Sequence, residues 1–317
     1  MWAKRYAKVC KKCNSHHIKK DGMMRGKQRY RCKDCGYVFQ NKRRSTWHKT
    51  IVSKTLWHEY CFGKQTYEQL SLKYGKTKKT IQKILDTYTF TVEHVVWSKE
   101  VILLIDTTFF WDFGIMVFKE STTKKILHVK VVDNEKILYY KEWIWELQRQ
   151  WWIIRAIVCD GRKWVLWGFG NIPTQMCMFH QEKIITKYLT KRPKLEANQS
   201  LRRLSLMLTK TDKESFTSLL EAWYARYQDF IQEKTYSEDR KRWHYTHKRT
   251  RSAYFSLKNN LKYLFIWYDY LWVLSIPNTT NWLEWIFGHI KVKVALHRWL
   301  KRERKIKLIL SLLHWFK

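Results

Sequence analysis

VILLIDTTFFW, residues 101 to 111, is the stretch that decides the fold. Its first residues are continuously apolar, which is the pattern of a strand buried on both faces of a sheet. Asp106 follows the apolar residues, so we predict that this carboxylate ends the strand. A second buried strand is predicted at WIIRAIVCD, residues 152 to 160, where Asp160 is the last residue.

The segments around these two strands predict an α/β layer architecture. Further strands are predicted at residues 114 to 121, 125 to 133 and 174 to 180, and helices at 136 to 150 and 162 to 169. Three strands, then helix, strand, helix and strand, are typical of a sheet covered by helices. From about residue 182 to 274 the sequence predicts only helices.

The composition indicates a polyanionic partner. The 317 residues include 62 Lys and Arg against 27 Asp and Glu, a formal net charge of +35. Nucleic acid is the expected partner because neutralising its phosphates releases counterions. A membrane surface is the competing partner, but no apolar run reaches the roughly 18 residues that span a bilayer. Without a signal-peptide pattern, we expect a cytoplasmic, nucleoid-associated protein and no membrane contact.

Four cysteines near the amino terminus have the spacing of a zinc site. Two C-x2-C pairs stand 18 residues apart, and each pair offers two thiolates to one tetrahedral Zn²⁺. The surrounding basic residues make residues 1–45 a candidate DNA-contacting zinc ribbon; the alternative is a purely structural module. The predicted zinc ligands are Cys10, Cys13, Cys32 and Cys35.

Residues 46–95 are predicted to form a helix-turn-helix DNA-binding domain. Leu70 would face the core from one helix, Gly75 would form the turn, and Ile81, Ile84 and Leu85 would face the core from a second helix starting near Thr77. The alternative is an ordinary helical hairpin with a solvated charged face. The residues expected to contact DNA are Lys76, Lys78, Lys79, Gln82 and Lys83.

A third carboxylate stands late in the chain, in PNTTNWLE, residues 277 to 284. Any of residues 278 to 281 could cap a helix there, and Glu284 would lie in its first turn. A helix N-terminus favours an acid by itself. Together with Asp106 and Asp160, however, Glu284 would complete a site for two Mg²⁺ or Mn²⁺ ions. Rival carboxylates are Asp112, Asp133 and Asp269.

These motifs together resemble the DDE transposases, most closely the bacterial insertion-sequence branch of the Mutator-like superfamily. The resemblance covers about residues 100 to 317 and lies in IDTTFF, VCDGRK, CMFHQ and PNTTNWLE with its downstream IK and HR. It implies a ribonuclease-H-like catalytic domain, residues 96–317, with an all-helical insertion at about 182–274. Asp106, Asp160 and Glu284 would be its catalytic, metal-binding triad.

The resemblance also implies roles for later residues and partners. Cys177 and His180 match the family's C-x2-H motif, and Lys291 is an expected phosphate contact, with His297 and Arg298 as weaker candidates. The protein would bind the terminal inverted repeats of its element, cleave DNA and join the ends to target DNA, as a homodimer or larger assembly. The alternatives are a DNA-binding regulator or decayed transposase without chemistry, and a structure-specific nuclease.

Tryptophan is in excess and glycine in deficit, with 19 and 10 residues respectively. Trp285 and Trp299 stand where the family pattern has glycine, Trp164 where it has a small residue, and Trp111 interrupts a similar spot. We hypothesise that some of these tryptophans correspond to UGA codons, which certain bacterial lineages read as glycine. UGG codons at positions 164, 285 and 299 would contradict the hypothesis.

Overall fold

The computed structural model describes residues 9–24, 27–40, 46–89, 100–239, 241–297 and 300–315. The chain divides into two compact units, Met1–Tyr88 and Thr89–Lys317.

The first unit begins with a small antiparallel sheet. Its strands are β1 (Ile18–Met24), β2 (Lys27–Cys32) and β3 (Val38–Gln40), in that order across the sheet. Cys10 and Cys13 lie at the turn before β1, whereas Cys32 is the last residue of β2 and Cys35 lies in the turn that follows. Gly36, directly after the second pair, has a φ of 71°, a left-handed conformation that glycine adopts without steric cost.

Three helices complete the first unit: α1 (Thr46–Cys61), α2 (Tyr67–Tyr74) and α3 (Lys78–Thr87). Thr66 and Gln69 form a reciprocal capping box at the start of α2, and Thr77 caps α3. Gly75, with a φ of 58°, ends α2. Two helices joined by a short turn therefore lie where the sequence predicts them.

The buried side chains of this helical pair largely match the prediction. Leu70, Ile81 and Leu85 are buried, whereas Ile84 is only half-buried. The division of the unit into residues 1–45 and 46–95 stays a prediction.

The second unit contains a mixed five-stranded sheet. Its strands are β4 (Glu100–Phe109), β5 (Gly114–Glu120), β6 (Ile126–Val132), β7 (Ile153–Cys159) and β8 (Thr174–Met176). The spatial order is β6-β5-β4-β7-β8; β5 is antiparallel to β4 and β6, whereas β7 is parallel to β4 and β8. The α/β class predicted from the sequence is confirmed.

Helices connect the parallel strands. Between β6 and β7 runs α4 (Ile137–Arg149), which buries Tyr140, Ile144 and Leu147, a spacing of one helix face. The short α5 (Lys163–Leu166) precedes β8, and α6 (Met178–Leu189) follows it. The predicted strand at 174 to 180 is therefore too long, because the chain turns at Cys177 and His180 already belongs to α6.

The carboxyl-terminal part adds α7 (Glu196–Ser205), α8 (Lys213–Gln232), α9 (Lys248–Leu264), α10 (Ile266–Asp269), α11 (Asn281–Leu296) and α12 (Arg302–Trp315). The predicted all-helical insertion is wrong in one respect. Between α8 and α9 lies an antiparallel hairpin of β9 (Lys234–Ser237) and β10 (Arg242–Tyr245). Tyr236 and Trp243 pair across it, and such aromatic residues favour strands.

Two tryptophans lie in a conformation that suits glycine. Trp111 and Trp151 both have a φ of 65°. Their side chains are 98% and 80% exposed, so packing does not compensate for the backbone conformation. Trp164 and Trp285 lie within α5 and α11, and Trp299 is outside the described residues.

Candidate metal centre

Asp106 and Asp160 come from neighbouring parallel strands. The last parallel pair joins Leu104 of β4 to Val158 of β7, and each carboxylate follows two residues later. The prediction that Asp106 ends its strand is wrong, because Thr107, Thr108 and Phe109 continue the pairing with β5. Only the parallel pairing of β4 with β7 ends near Asp106, two residues before it.

Glu284 lies in the first turn of α11, as the sequence predicts. Thr280 is the N-cap residue, but its side chain makes no cap hydrogen bond. The Oε1 atom of Glu284 lies 2.8 Å from Nε2 of His180 and 2.8 Å from Nζ of Lys183, both on α6. The carboxylate is thus held between two cationic groups.

Asp106, His180 and Glu284 form a group that could hold a metal ion. One ligand atom from each lies within 4.8 Å of the other two. Two carboxylates and an imidazole are a common donor set for divalent metals. Asp160 is not a member of this group; its carboxylate instead pairs with Arg162, Nε to Oδ2 at 3.1 Å. The structure therefore adds His180 as a possible ligand, which sequence reasoning left without a metal role.

The electrostatics of the group suit a cation. Burial raises the pKa of Asp106 to about 7; His180 opposes this rise, and the negative charges of Glu284 and Asp160 add to it. A divalent ion would relieve this crowding of carboxylates, because a nearby positive charge favours the ionised form of an acid. The donors present could therefore hold a divalent metal ion.

His180 and Glu284 shift each other's pKa in opposite directions. The hydrogen bond from His180, aided by Lys183, outweighs burial and lowers the pKa of Glu284 to about 2. For His180, burial lowers the pKa, but hydrogen bonds with Cys177 and Glu284 outweigh it and raise the pKa to about 10. A metal ion that takes Glu284 must therefore compete with an imidazolium.

Cys177 connects the start of α6 to the start of α11. Its buried Sγ accepts hydrogen bonds from the backbone N–H of Thr280 at 3.2 Å and from the Thr280 hydroxyl at 3.3 Å. The N–H of Met178 donates to the carbonyl of Asn278 at 3.0 Å. These bonds fix the helix of Glu284 against the helix of His180, and they explain why the Thr280 hydroxyl does not cap α11.

A buried polar network that sequence reasoning missed links the two strands. The hydroxyl of Thr107 lies 2.7 Å from that of Tyr140, which donates to Oε1 of Glu135 at 2.5 Å. Oε2 of Glu135 lies 2.7 Å from Nη1 of Arg162, the residue that pairs with Asp160. In the sequence, Glu135 stands in DNEK, residues 133 to 136, just before a predicted helix. That position does not distinguish Glu135 from a surface acid.

A cavity of about 330 Å³ opens beside the acidic group. It is lined by Asp106, His180 and Glu284 and by two lysines, Lys183 and Lys291. Lys291 is exposed, as a phosphate contact requires, whereas His297 is buried, which argues against its predicted phosphate contact. Arg298 lies outside the described residues.

The rival carboxylates lie elsewhere. Asp133 pairs with Arg302 and Asp269 with Lys213, and Asp112 is exposed; none belongs to the acidic group. Among the described residues, Asp106 and Glu284 are thus the predicted acids that converge with a third metal-ligating side chain.

The four amino-terminal cysteines converge in the first unit and could hold a zinc ion. Sγ of Cys10 lies 3.5 Å from Sγ of Cys35, and Sγ of Cys13 lies 3.6 Å from Sγ of Cys32. Thiolates bound tetrahedrally at Zn–S distances of about 2.3 Å lie about 3.8 Å apart, whereas a disulfide brings two sulfurs to about 2.05 Å. Backbone N–H groups of Cys35 and Asp34 lower the pKa of Cys32 to about 6, whereas the lowering effect of the Ser15 N–H on the pKa of Cys13 is outweighed by the neighbouring cysteines, which raise that pKa to about 12.

The predicted DNA contacts of the helix-turn-helix are accessible. Four lysines are exposed and Gln82 is half-exposed; Lys78 also pairs with Glu68 at 2.9 Å. The exposed lysines are Lys76, Lys78, Lys79 and Lys83.

A scan against models of known protein families and a search of curated proteins found no match to this chain. Within the described residues, no helix is long and apolar enough to cross a bilayer.

Proposed function

We propose that this protein is a metal-dependent DDE transposase of the Mutator-like, bacterial insertion-sequence type. The observation that carries the proposal is the convergence of Asp106 and Glu284, 178 positions apart in the chain, with Asp160 following the neighbouring parallel strand. Mixed sheet order, with β5 antiparallel and β7 parallel to β4, supports a ribonuclease-H-like core.

Each part of the site has a role in DNA phosphoryl transfer. Asp106, Asp160 and Glu284 would hold two Mg²⁺ or Mn²⁺ ions, with His180 as a further donor. Bound metal supplies an activated water or 3′-hydroxyl and stabilises the leaving oxygen. Lys183 and Lys291, which line the cavity, would bind backbone phosphates and orient the strand against the carboxylates.

The first unit would recognise the DNA. A zinc ribbon and the exposed lysines of α3 would bind the terminal inverted repeats, and joining two ends requires a dimer or larger assembly. The net charge of +35 supports such a polyanionic partner.

The test is a cleavage and strand-transfer assay on DNA from the borders of the element that encodes the chain. Asp160→Asn removes one predicted ligand, and Asp133→Asn, an exposed acid paired with Arg302, is the matched control. We expect metal-dependent nicking and joining by the wild type and the control, and neither by Asp160→Asn.

Other outcomes would favour the other functions. Cleavage without joined products would indicate a structure-specific nuclease. Specific binding of the border DNA without cleavage in either metal would indicate a DNA-binding protein without chemistry.

A further inference from the structure

A second cavity, of about 310 Å³, shares the lining residues His180 and Lys183 with the first. Arg162 follows β7, and Lys183 and Lys187 are one turn apart on α6, so they project from the same helix face. Three permanent cations and one carboxylate, Asp160, line this cavity. Arg162 is paired with Glu135 and Asp160, and Lys183 with Glu284, so an anion would be bound by Lys187 together with the remaining N–H donors of Arg162.

Arg162 is held at this cavity by a buried acid. The Glu135 side chain is only 3% exposed; its Oε1 accepts a hydrogen bond from Tyr140, and its Oε2 forms an ion pair with Arg162 at 2.7 Å without hydrogen-bond geometry. Burying a carboxylate costs free energy unless it is paired and hydrogen-bonded, so Glu135 is suited to fix the guanidinium. Arg162 itself remains 45% exposed and can still donate to a ligand.

The chemistry of the cations identifies the ligand class. A guanidinium presents several N–H donors in a rigid fork that matches two phosphate oxygens, and lysines contribute charge from flexible stems. An arginine fixed by a buried partner loses less conformational entropy when it binds than a freely rotating one.

We propose that Arg162 and Lys187 bind a DNA backbone phosphate that flanks the scissile phosphate, and that Glu135 is the positioning residue for Arg162. The inference rests on the proposed function, because the scissile phosphate is the one that would lie at the metal ions held by Asp106, Asp160 and Glu284. Lys183 lines both cavities and would lie between the two phosphates.

The test replaces single phosphates of the border DNA with neutral methylphosphonates, one linkage at a time. In the wild type, one linkage beside the cleavage point should reduce cleavage by about 10- to 100-fold, the loss of a charge-assisted hydrogen bond. In Arg162→Gln the same substitution should have a much smaller further effect, because only Lys187 of the two proposed contacts is left. Arg226→Gln, an exposed arginine paired with Glu196, is the control and should keep the wild-type pattern.

Two further variants separate positioning from folding. Arg162→Lys keeps the charge and should retain part of the sensitivity at that linkage. Glu135→Gln keeps the shape of the side chain but not its charge, and should raise KM and weaken the sensitivity at the same linkage. Thermal melting checks that all variants are folded.

The proposal is overturned if no flanking linkage is sensitive in the wild type, or if Arg162→Gln keeps the full sensitivity. Affinity for the same duplexes is measured in parallel. If the wild type cleaves nothing, the proposed function fails, whereas a linkage-specific loss of affinity that becomes much smaller in Arg162→Gln would still support the phosphate site.

Discussion

Lys119 is a cationic residue buried within the sheet, at 1% exposure, in β5. Its Nζ lies 3.4 Å from the centre of the Trp282 ring, in the first turn of α11. Burial lowers the pKa of Lys119 to about 8. Between pH about 8 and about 10.5 the unfolded chain binds a proton that the folded chain has released, so stability rises with pH in this window.

We therefore predict that Lys119→Met raises the free energy of unfolding at pH 7 by about 1–3 kcal/mol. The charged form is the one that burial disfavours, and the Trp282 ring offsets only part of that cost. The variant should also lose the rise between pH 8 and 10.5, measured by urea unfolding. Lys141→Met, at an exposed position of α4, is the control; an identical pH profile in the Lys119 variant and the wild type would contradict the prediction.

Cys177 offers a second prediction at this scale. Replacing it with Ala leaves the buried N–H and hydroxyl of Thr280 without their acceptor. The free energy of unfolding should fall by about 1–3 kcal/mol more than for Cys159→Ala, a buried cysteine that loses only packing. Urea denaturation measures both, and equal losses would show that the hydrogen bonds to sulfur are unimportant.

Trp111 and Trp151 provide a third prediction. A left-handed conformation costs a non-glycine residue about 1–2 kcal/mol. The greater chain entropy of glycine in the unfolded state offsets about 0.5–1 kcal/mol of the stabilisation gained by a change to glycine. Trp111→Gly and Trp151→Gly should each therefore stabilise the fold by about 0.5–1 kcal/mol.

Trp167 is the matched control for these two changes. It is 63% exposed but has a φ of −93°, so Trp167→Gly should destabilise the fold instead. Thermal melting distinguishes the expected stabilisation of the first two variants from the expected destabilisation of the third. If all three changes destabilise the protein, the glycine interpretation of Trp111 and Trp151 is wrong.

At the scale of elements, the three-stranded amino-terminal sheet buries few side chains of its own, and zinc would replace a core. Chelation should therefore unfold residues 9–40 while leaving β4 to β8 intact, because metal binding and folding are coupled in such modules. Hydrogen exchange with mass spectrometry should show loss of protection only in the first region, restored by added Zn²⁺. Unchanged protection after metal analysis has established removal would contradict a structural role.

Sequence periodicity predicted the sheet well and the hairpin not at all. Strands β4 and β7 are long, apolar and bounded by polar residues, so their pattern is strong. The hairpin strands β9 and β10 are four residues each and mostly exposed, so no apolar period marks them. Asp106 was misplaced because Thr107 to Phe109 pair only with β5, which the sequence of β4 does not indicate.

The same difference separates the site residues that the sequence predicts from those that it does not. Acids at the ends of buried strands and at a helix start are visible in a sequence, because local patterns position them. Glu135 and Lys183 depend on contacts between distant elements, and His180 became a candidate ligand only when α6 was seen to face α11.

At the scale of the whole molecule, the positive charge predicts salt-dependent DNA binding. Contact with six phosphates gives a slope of log affinity against log salt of about −5. Lys79→Gln, at an exposed position of α3, should reduce the slope by about 1, whereas Lys141→Gln should not change it. Fluorescence anisotropy at salt concentrations between about 50 and 200 mM measures these slopes. A salt-independent affinity would exclude phosphate contacts as the main source of binding.

The order in which the three acids occur has a consequence during synthesis. A nascent chain leaves the ribosome with Asp106 and Asp160 well before Glu284, and the hydrogen bonds that Thr280 donates to Cys177 form only once Thr280 has emerged. A polypeptide that stops before α11 would keep the amino-terminal unit and all five strands of the sheet while lacking the last carboxylate. Under the proposed function, such a prematurely terminated product would occupy the element's ends without cutting them, and would act as a competitor of the full-length protein.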